Sequence, residues 1–150
     1  MADRTLVLLK PDAVQRGLAG RIIARLEDRG LKIAGMKLMQ MTEDIAQRHY
    51  AEHVSKPFFK GLAEFMMSRP IIAIAIEGRN AVEAVRVTVG ATDPQKAAPG
   101  TIRGDFGVDI GRNLIHASDS PEAAARELAI FFGQGEVLDY TRETDGWIAE

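Results

Sequence analysis

The run Ile71 to Ile76, Ile-Ile-Ala-Ile-Ala-Ile, constrains this chain more than any other segment because it has no polar face. It falls far short of the roughly 18 apolar residues that a membrane-spanning helix needs. It therefore reads as a strand buried on both sides and central in its sheet, with Pro70 before it and Gly78 ending it. At 150 residues the chain suits one domain, 1–150, with enough length to cover such a strand. A net charge of −2, from 19 Lys and Arg against 21 Asp and Glu, supplies no overall positive field. That argues against nucleic acid or an anionic membrane as a main partner, so any phosphate binding must be local. The absence of cysteine rules out disulfides, thiolate metal sites and cysteine nucleophiles together. The N-terminus lacks a signal-peptide layout, its apolar stretch being only Leu6 to Leu9, and the expected compartment is the cytoplasm.

Around the central strand the periodicity alternates between two kinds of element. Arg4 to Lys10 reads as a short buried strand, with Pro11 suited to the first turn of a helix. Gly20 to Arg29 carries Ile22, Ile23 and Leu26 at helical spacing, and Gly30 stands where a left-handed cap belongs. Leu31 to Met41 alternates as a strand, with Gly35 able to admit a bulge. Thr42 can cap a helix whose stripe is Ile45, Ala46, His49, Tyr50 and His53. After Ser55-Lys56-Pro57 a second helix carries Phe58, Phe59, Leu62, Phe65 and Met66. Asn80-Ala81-Val82-Glu83 reads as a capping box opening a helix with Val82, Val85 and Val89 on one face, closed by Gly90. From Ala91 to Asn113 periodicity vanishes among glycines and prolines, predicting a long loop of the kind that is functional or disordered. Leu114 to Ala117 is a short strand. Ser120-Pro121 then starts a helix buried through Leu128, Ala129, Phe131 and Phe132, and an irregular tail follows Gly133. This order predicts an α+β, ferredoxin-like sandwich: an antiparallel four-stranded sheet covered by helices, with the glycine- and proline-containing loop just before the last strand.

Three histidines offer chemistry. His49 and His53 lie four apart, but no third ligand or metalloprotease glutamate accompanies them, and packing or a surface place is the ordinary reading. His116 differs, because it sits in a short apolar strand between the glycine-rich loop and the polar start of a helix. A neutral imidazole can act as a nucleophile near neutral pH, and a carboxylate on its other nitrogen would orient it. Glu127 is a candidate because its helix should run back over the strand, while Asp119 and Glu122 satisfy the spacing as well. Lys10, Arg86, Arg103 and Arg112 fall at element ends and in the loop, a set that suits phosphate. No P-loop or dinucleotide fingerprint is present. Phe58 and Phe59 point about 100° apart if helical, so one of them is free to stack on a base while the other packs.

The segments Arg4 to Ala13, Arg48-His49-Tyr50, Lys56 to Phe59, Pro99 to Phe106 and Gly111 to Ser120 together resemble nucleoside diphosphate kinases, in order and in spacing. The likeness runs from about Thr5 to Trp147, and its Asn-x-x-His-x-Ser-Asp-Ser stretch is highly specific. The resemblance implies a ping-pong phosphotransferase in which a nucleoside triphosphate, typically ATP, phosphorylates a histidine that then passes the group to a nucleoside diphosphate. By that likeness His116 is the nucleophile, Glu127 and Ser118 orient its ring, and Lys10 and Tyr50 approach the transferring group. Arg86, Thr92 and Arg103 hold phosphates, and Asn113 contacts the ribose. Phe58 stacks on the base, with Leu62 and Ile110 completing an apolar slot, so bases are poorly discriminated.

The same resemblance implies Mg2+ carried on the nucleotide phosphates without direct protein ligands, Asp119 or Glu52 touching it through water. It also implies a homo-oligomer, a hexamer in preference to a tetramer, with the long loop in subunit contacts. Ala149 departs from the aromatic residue the family's longer tails carry there. Two rival readings are a histidine phosphocarrier or protein-histidine kinase, and a non-catalytic ferredoxin-like binding module. The phosphocarrier does not need Phe58, Arg86, Thr92 and Asn113 together, and the binding module is told apart by whether His116 becomes phosphorylated.

Overall fold

A computed structural model describes residues 3–150; Met1 and Ala2, where the N-terminal reading begins, lie outside them. Along the chain come β1 (Asp3–Leu9), α1 (Pro11–Gln15), α2 (Ala19–Asp28), β2 (Lys32–Met39) and α3 (Glu43–His49). A 3-10 turn (Ala51–His53), α4 (Phe59–Met67), β3 (Ile71–Gly78) and α5 (Ala81–Val89) follow. A second 3-10 turn (Pro94–Lys96), α6 (Ile102–Phe106), β4 (Ile115–Ala117), α7 (Pro121–Phe131) and α8 (Asp145–Ile148) complete the order. The strands form one antiparallel sheet in the order β2-β3-β1-β4, a ferredoxin-like α+β fold.

Strand pleating explains why β1 from Leu6 to Leu9 and β3 from Ile71 to Ile76 are apolar without a break. Successive side chains point to opposite faces, so a strand with helices on both sides has no solvated positions. Val7, Leu9, Ile74 and Ile76 pack with Ile22 and Leu26 of α2, Val85 and Val89 of α5 and Ile102 of α6. Leu6, Leu8, Ala73 and Ala75 pack on the other side with Ala46 of α3, Ala63 and Met66 of α4 and Phe131 of α7. Each large side chain of this kind contributes roughly 1.5–3 kcal/mol by leaving water. In β4, Ile115 and Ala117 belong to the first of these cores. His116 pairs with Leu8 and therefore projects into the second layer, under α3 and α7.

Most local signals are realised. Thr42 accepts a hydrogen bond from the Ile45 N–H at 3.2 Å, and Ser120 accepts one from Ala123 at 3.0 Å. The register between β2 and β3 slips between Ile33 and Gly35, the expected bulge. Gly30 takes a φ of +93° after α2.

Several expectations need correction. The segment from Ala91 to Asn113 is not structureless: Thr101 caps α6 by accepting from the Gly104 N–H at 3.0 Å, a cap hidden among the glycines. Asn80 does not form a capping box, since it takes a left-handed φ of 52° and its side chain caps nothing. Ala129 is not among the buried residues of α7, which are Ala124, Glu127 and Phe131. The helix stripe read through His53 breaks at Tyr50, where α3 gives way to the 3-10 turn. Phe58 precedes α4 as its N-cap residue rather than lying inside it. Leu114 stands outside β4 with a φ of +74°. The tail is irregular except for α8.

Candidate active site

The site is built around an edge strand. Because β4 has a neighbour on one side only, its outward carbonyls must find other partners. Towards β1, the Lys10 N–H donates to Leu114 O at 2.8 Å and the Ser118 N–H to Leu6 O at 3.2 Å. On the open edge, Arg103 Nη2 donates to Ile115 O at 2.5 Å, and Arg86 Nη1 donates to Ala117 O at 3.2 Å. Two guanidinium groups thus grip the carbonyls of the residues immediately before and after His116.

Arg103 also donates to Asn113 O and to Gly90 O, each at 3.2 Å, which fastens α6 to the strand. Burial lowers its pKa to about 10, with the charge of Arg86 adding to the effect. Asn113 accepts from Lys10 Nζ at 2.8 Å and donates to Thr92 O at 3.0 Å. The Lys10 ammonium is pushed down to about 8, chiefly by burial and then by Arg103, against the pull of Asp12. Asp12, which sequence reading passed over, accepts the Leu114 N–H at 3.0 Å and holds the unusual positive-φ turn that leads into β4. Its only sequence signal is its place just after a strand end.

Of the carboxylates left open by spacing, the fold selects Glu127. Its Oε1 lies 2.7 Å from His116 Nε2 and accepts the Ser118 hydroxyl at the same distance. Burial opposes ionisation of Glu127, yet the hydrogen bond and charge of His116, with Ser118, hold its carboxyl below the ordinary range. A carboxylate at Nε2 takes that nitrogen's proton as a hydrogen bond, and a neutral ring then carries its free electron pair on Nδ1. The arrangement thus orients the ring, in a strand whose flanking carbonyls are held by Arg103 and Arg86.

A cavity of about 530 Å3 opens on this ring and is lined by Tyr50, Phe58, Leu62, His116 and Glu127 among others. Phe58 is 53% exposed there, an aromatic face presented to solvent, while Phe59 packs against the core. Ile110 is exposed and does not line the cavity, nor do Lys10, Arg86, Thr92, Arg103, Asn113 or Ser118. Those residues, Ile110 apart, gather instead around the backbone of β4 as described. Arg112 stacks over the Phe65 ring at 4.3 Å and stands apart from the other cations. Burial raises the Tyr50 phenol far above its ordinary pKa, so it remains a proton donor, and Glu127 adds to this. Glu52, Asp119 and Glu122 line the rim. Among the described residues, the one convergent group of three possible metal ligands is His49, His116 and Glu127, which holds a single carboxylate. That donor set does not suit a hard oxygen-seeking cation such as Mg2+, whereas phosphate oxygens and water would.

His49 packs, as its ordinary reading allows, but against His116 itself. It is buried, its ring centroid stands 4.8 Å from that of His116 in an edge-on arrangement, and it also meets Tyr50 and Phe131. Burial, and then the charge of His116, lower its pKa to about 3, so it is neutral at physiological pH. His53 lies elsewhere on the rim, within 3.1 Å of Lys56 Nζ.

A family model described as nucleoside diphosphate kinase matches residues 3–137. A nucleoside diphosphate kinase of Chloroflexus aggregans is 61% identical over 150 residues, covering 99% of each chain. One from Archaeoglobus fulgidus is 52% identical over 148 residues, covering 99% of this chain and 98% of its own. Among solved structures, a halophilic nucleoside diphosphate kinase from Halobacterium salinarum in complex with CDP superposes with a TM-score of 0.96, at 51% identity over the whole of both chains. A nucleoside diphosphate kinase family protein from Babesia bovis gives 0.95 at 45% identity, covering 98% and 99%.

Proposed function

The chain belongs to the nucleoside diphosphate kinase family and is a nucleotide-binding phosphotransferase, and from that premise we propose that it works through a phosphohistidine at His116. Its single domain, 1–150, moves the γ-phosphoryl group of a nucleoside triphosphate to a nucleoside diphosphate in two in-line steps. In the first, the Nδ1 electron pair attacks the γ-phosphorus, the bond to the β–γ bridging oxygen breaks, and the diphosphate leaves with that electron pair. In the second, a terminal oxygen of the acceptor diphosphate attacks the same phosphorus and the ring regains its pair. The observation that carries this reading is the 2.7 Å contact between His116 Nε2 and Glu127 Oε1, which leaves Nδ1 as the free nitrogen.

Glu127 and Ser118 orient the ring, and Glu127 stabilises the positive charge the ring gains on phosphorylation. Tyr50 and Lys10 meet the transferring group, and Arg86, Thr92 and Arg103 hold the phosphates. Asn113 contacts the ribose, and Phe58, Leu62 and Ile110 sandwich the base. Mg2+ on the phosphate oxygens would screen their charge, with Asp119 or Glu52 reaching it through water. Stacking reads no base edge, so acceptors extend across bases, the CDP bound by the Halobacterium salinarum relative among them. The protein works in the cytoplasm as a homo-oligomer, a hexamer in preference to a tetramer. The exposed Val108 of the long loop, and Trp147 in the tail at 92% exposure, support such an assembly.

The test is to incubate purified protein with γ-labelled ATP and Mg2+ and no diphosphate. Acid-labile label on His116 that moves to GDP on addition, and that is absent from His116→Ala, is the expected result. Label that stays on the protein despite GDP would favour a phosphocarrier and overturn the reading.

A further inference from the structure

Within the cavity wall lies a polar feature that phosphoryl transfer does not use. Both ring nitrogens of His49 are buried without a hydrogen-bond partner, and the residue is only 5% exposed. A buried polar atom without a partner is costly to the fold, and its persistence asks for a ligand. One nitrogen of His49, one of His116 and one carboxylate oxygen of Glu127 all lie within 4.8 Å of one another.

We propose that His49, His116 and Glu127 form an inhibitory site for a borderline-soft divalent cation, Zn2+ in particular, distinct from the cation that travels on the nucleotide. Two imidazoles and a carboxylate select zinc over magnesium by ligand type. Tetrahedral zinc, with bonds of about 2.0–2.1 Å, needs ligand atoms about 3.3 Å apart. The His116–Glu127 pair, now at 2.7 Å, must open slightly and His49 must close on it. The fourth position faces the cavity and would hold water.

The consequence for transfer rests on the reading of His116 as nucleophile. A neutral imidazole has one free electron pair. If zinc takes it at Nε2, the ring proton moves to Nδ1; if zinc takes it at Nδ1, that nitrogen is blocked. Neither arrangement leaves a pair to attack phosphorus. Zinc would therefore inhibit without competing for the nucleotide phosphates.

Two measurements test the site. The first titrates nucleotide-free, phosphate-free protein with Zn2+ by calorimetry and with Co2+ by visible absorption, in wild type, His49→Phe and His53→Ala. His49→Phe keeps an aromatic ring against Phe131 and Tyr50; circular dichroism checks that it folds. The expectation is one site per chain with a four-coordinate cobalt spectrum, weakened roughly tenfold or more in His49→Phe and unchanged in His53→Ala. Should His49→Phe unfold, Glu127→Gln takes its place with the same expected loss. No binding by folded wild type at micromolar zinc, or equal binding by the folded ligand variants, overturns the proposal. The second follows transfer with saturating MgATP as zinc is added, each variant scaled to its own zinc-free rate. Wild type should lose activity at zinc levels that spare His49→Phe. Zinc that binds through His49 without slowing transfer would support the site and count instead against His116 as nucleophile.

Discussion

At the scale of single residues, the His116–Glu127–Ser118 chain of hydrogen bonds is where sequence and chemistry meet most closely. Glu127→Gln keeps the shape but removes the charge that stabilises the phosphorylated ring, and we expect kcat to fall about 10^2-fold, read by steady-state kinetics and by the rate of label uptake. The same carboxylate has a pH signature. Its native pKa lies below the ordinary carboxylate value, so the stability it contributes is fully present above that value and is lost as pH falls through the lowered one. Thermal unfolding from pH 7 down to 3 should therefore drop less steeply in Glu127→Gln than in wild type. Lys10 behaves in the opposite sense. Burial holds its ammonium at about 8, so its positive charge fades as pH rises through that value in the free protein. The affinity advantage of wild type over Lys10→Met for a nucleoside diphosphate should thus shrink between pH 7 and 9.5, by equilibrium binding. No advantage at pH 7 would remove Lys10 from phosphate contact, and one that holds constant to pH 9.5 would place its titration above that range.

Among the elements, α6 and the turn before it depend most on a single backbone geometry. Gly90 takes a φ of +92°, its carbonyl receives Arg103, and a Cβ there would stand 2.5 Å from the Thr101 hydroxyl that caps α6. Gly90→Ala should therefore cost on the order of 1–3 kcal/mol and raise KM for nucleotide, because Arg103 loses one of the three carbonyls that hold it. Gly61, inside α4 with no atom within 4 Å of where a Cβ would stand, gives the contrast. Gly61→Ala should add roughly 0.5–1 kcal/mol with no change in KM. Denaturant unfolding alongside kinetics separates the two. The sequence signalled Gly90 as a helix terminator but not Thr101 as a cap, because the helix it starts is only five residues long and shows no apolar period.

For the whole molecule, the exposed apolar side chains of the loop and tail favour self-association, and the proposed six-chain assembly should be the dominant species in sedimentation velocity; a protein that sediments as single chains would remove that part of the proposal. The chain's own pattern determined the architecture. An apolar run far too short to span a membrane and without a polar face reads as a covered strand, and glycine caps, Thr42, Ser120 and Pro121 set helix ends through bonds between neighbours in sequence. It also marked His116, through the polar and glycine-rich stretches flanking it and the family's signature around it. What only tertiary structure decided was which groups face one another. Spacing alone excluded neither Asp119 nor Glu122 beside Glu127, the residue the family resemblance named, and Glu127 meets the ring because the packing of Phe131 and Ala124 turns that face of α7 onto the sheet. His49 reaches His116 from α3, and Lys10 meets Asn113 across 103 residues of chain. Such meetings are settled by how layers pack, and no local periodicity encodes them.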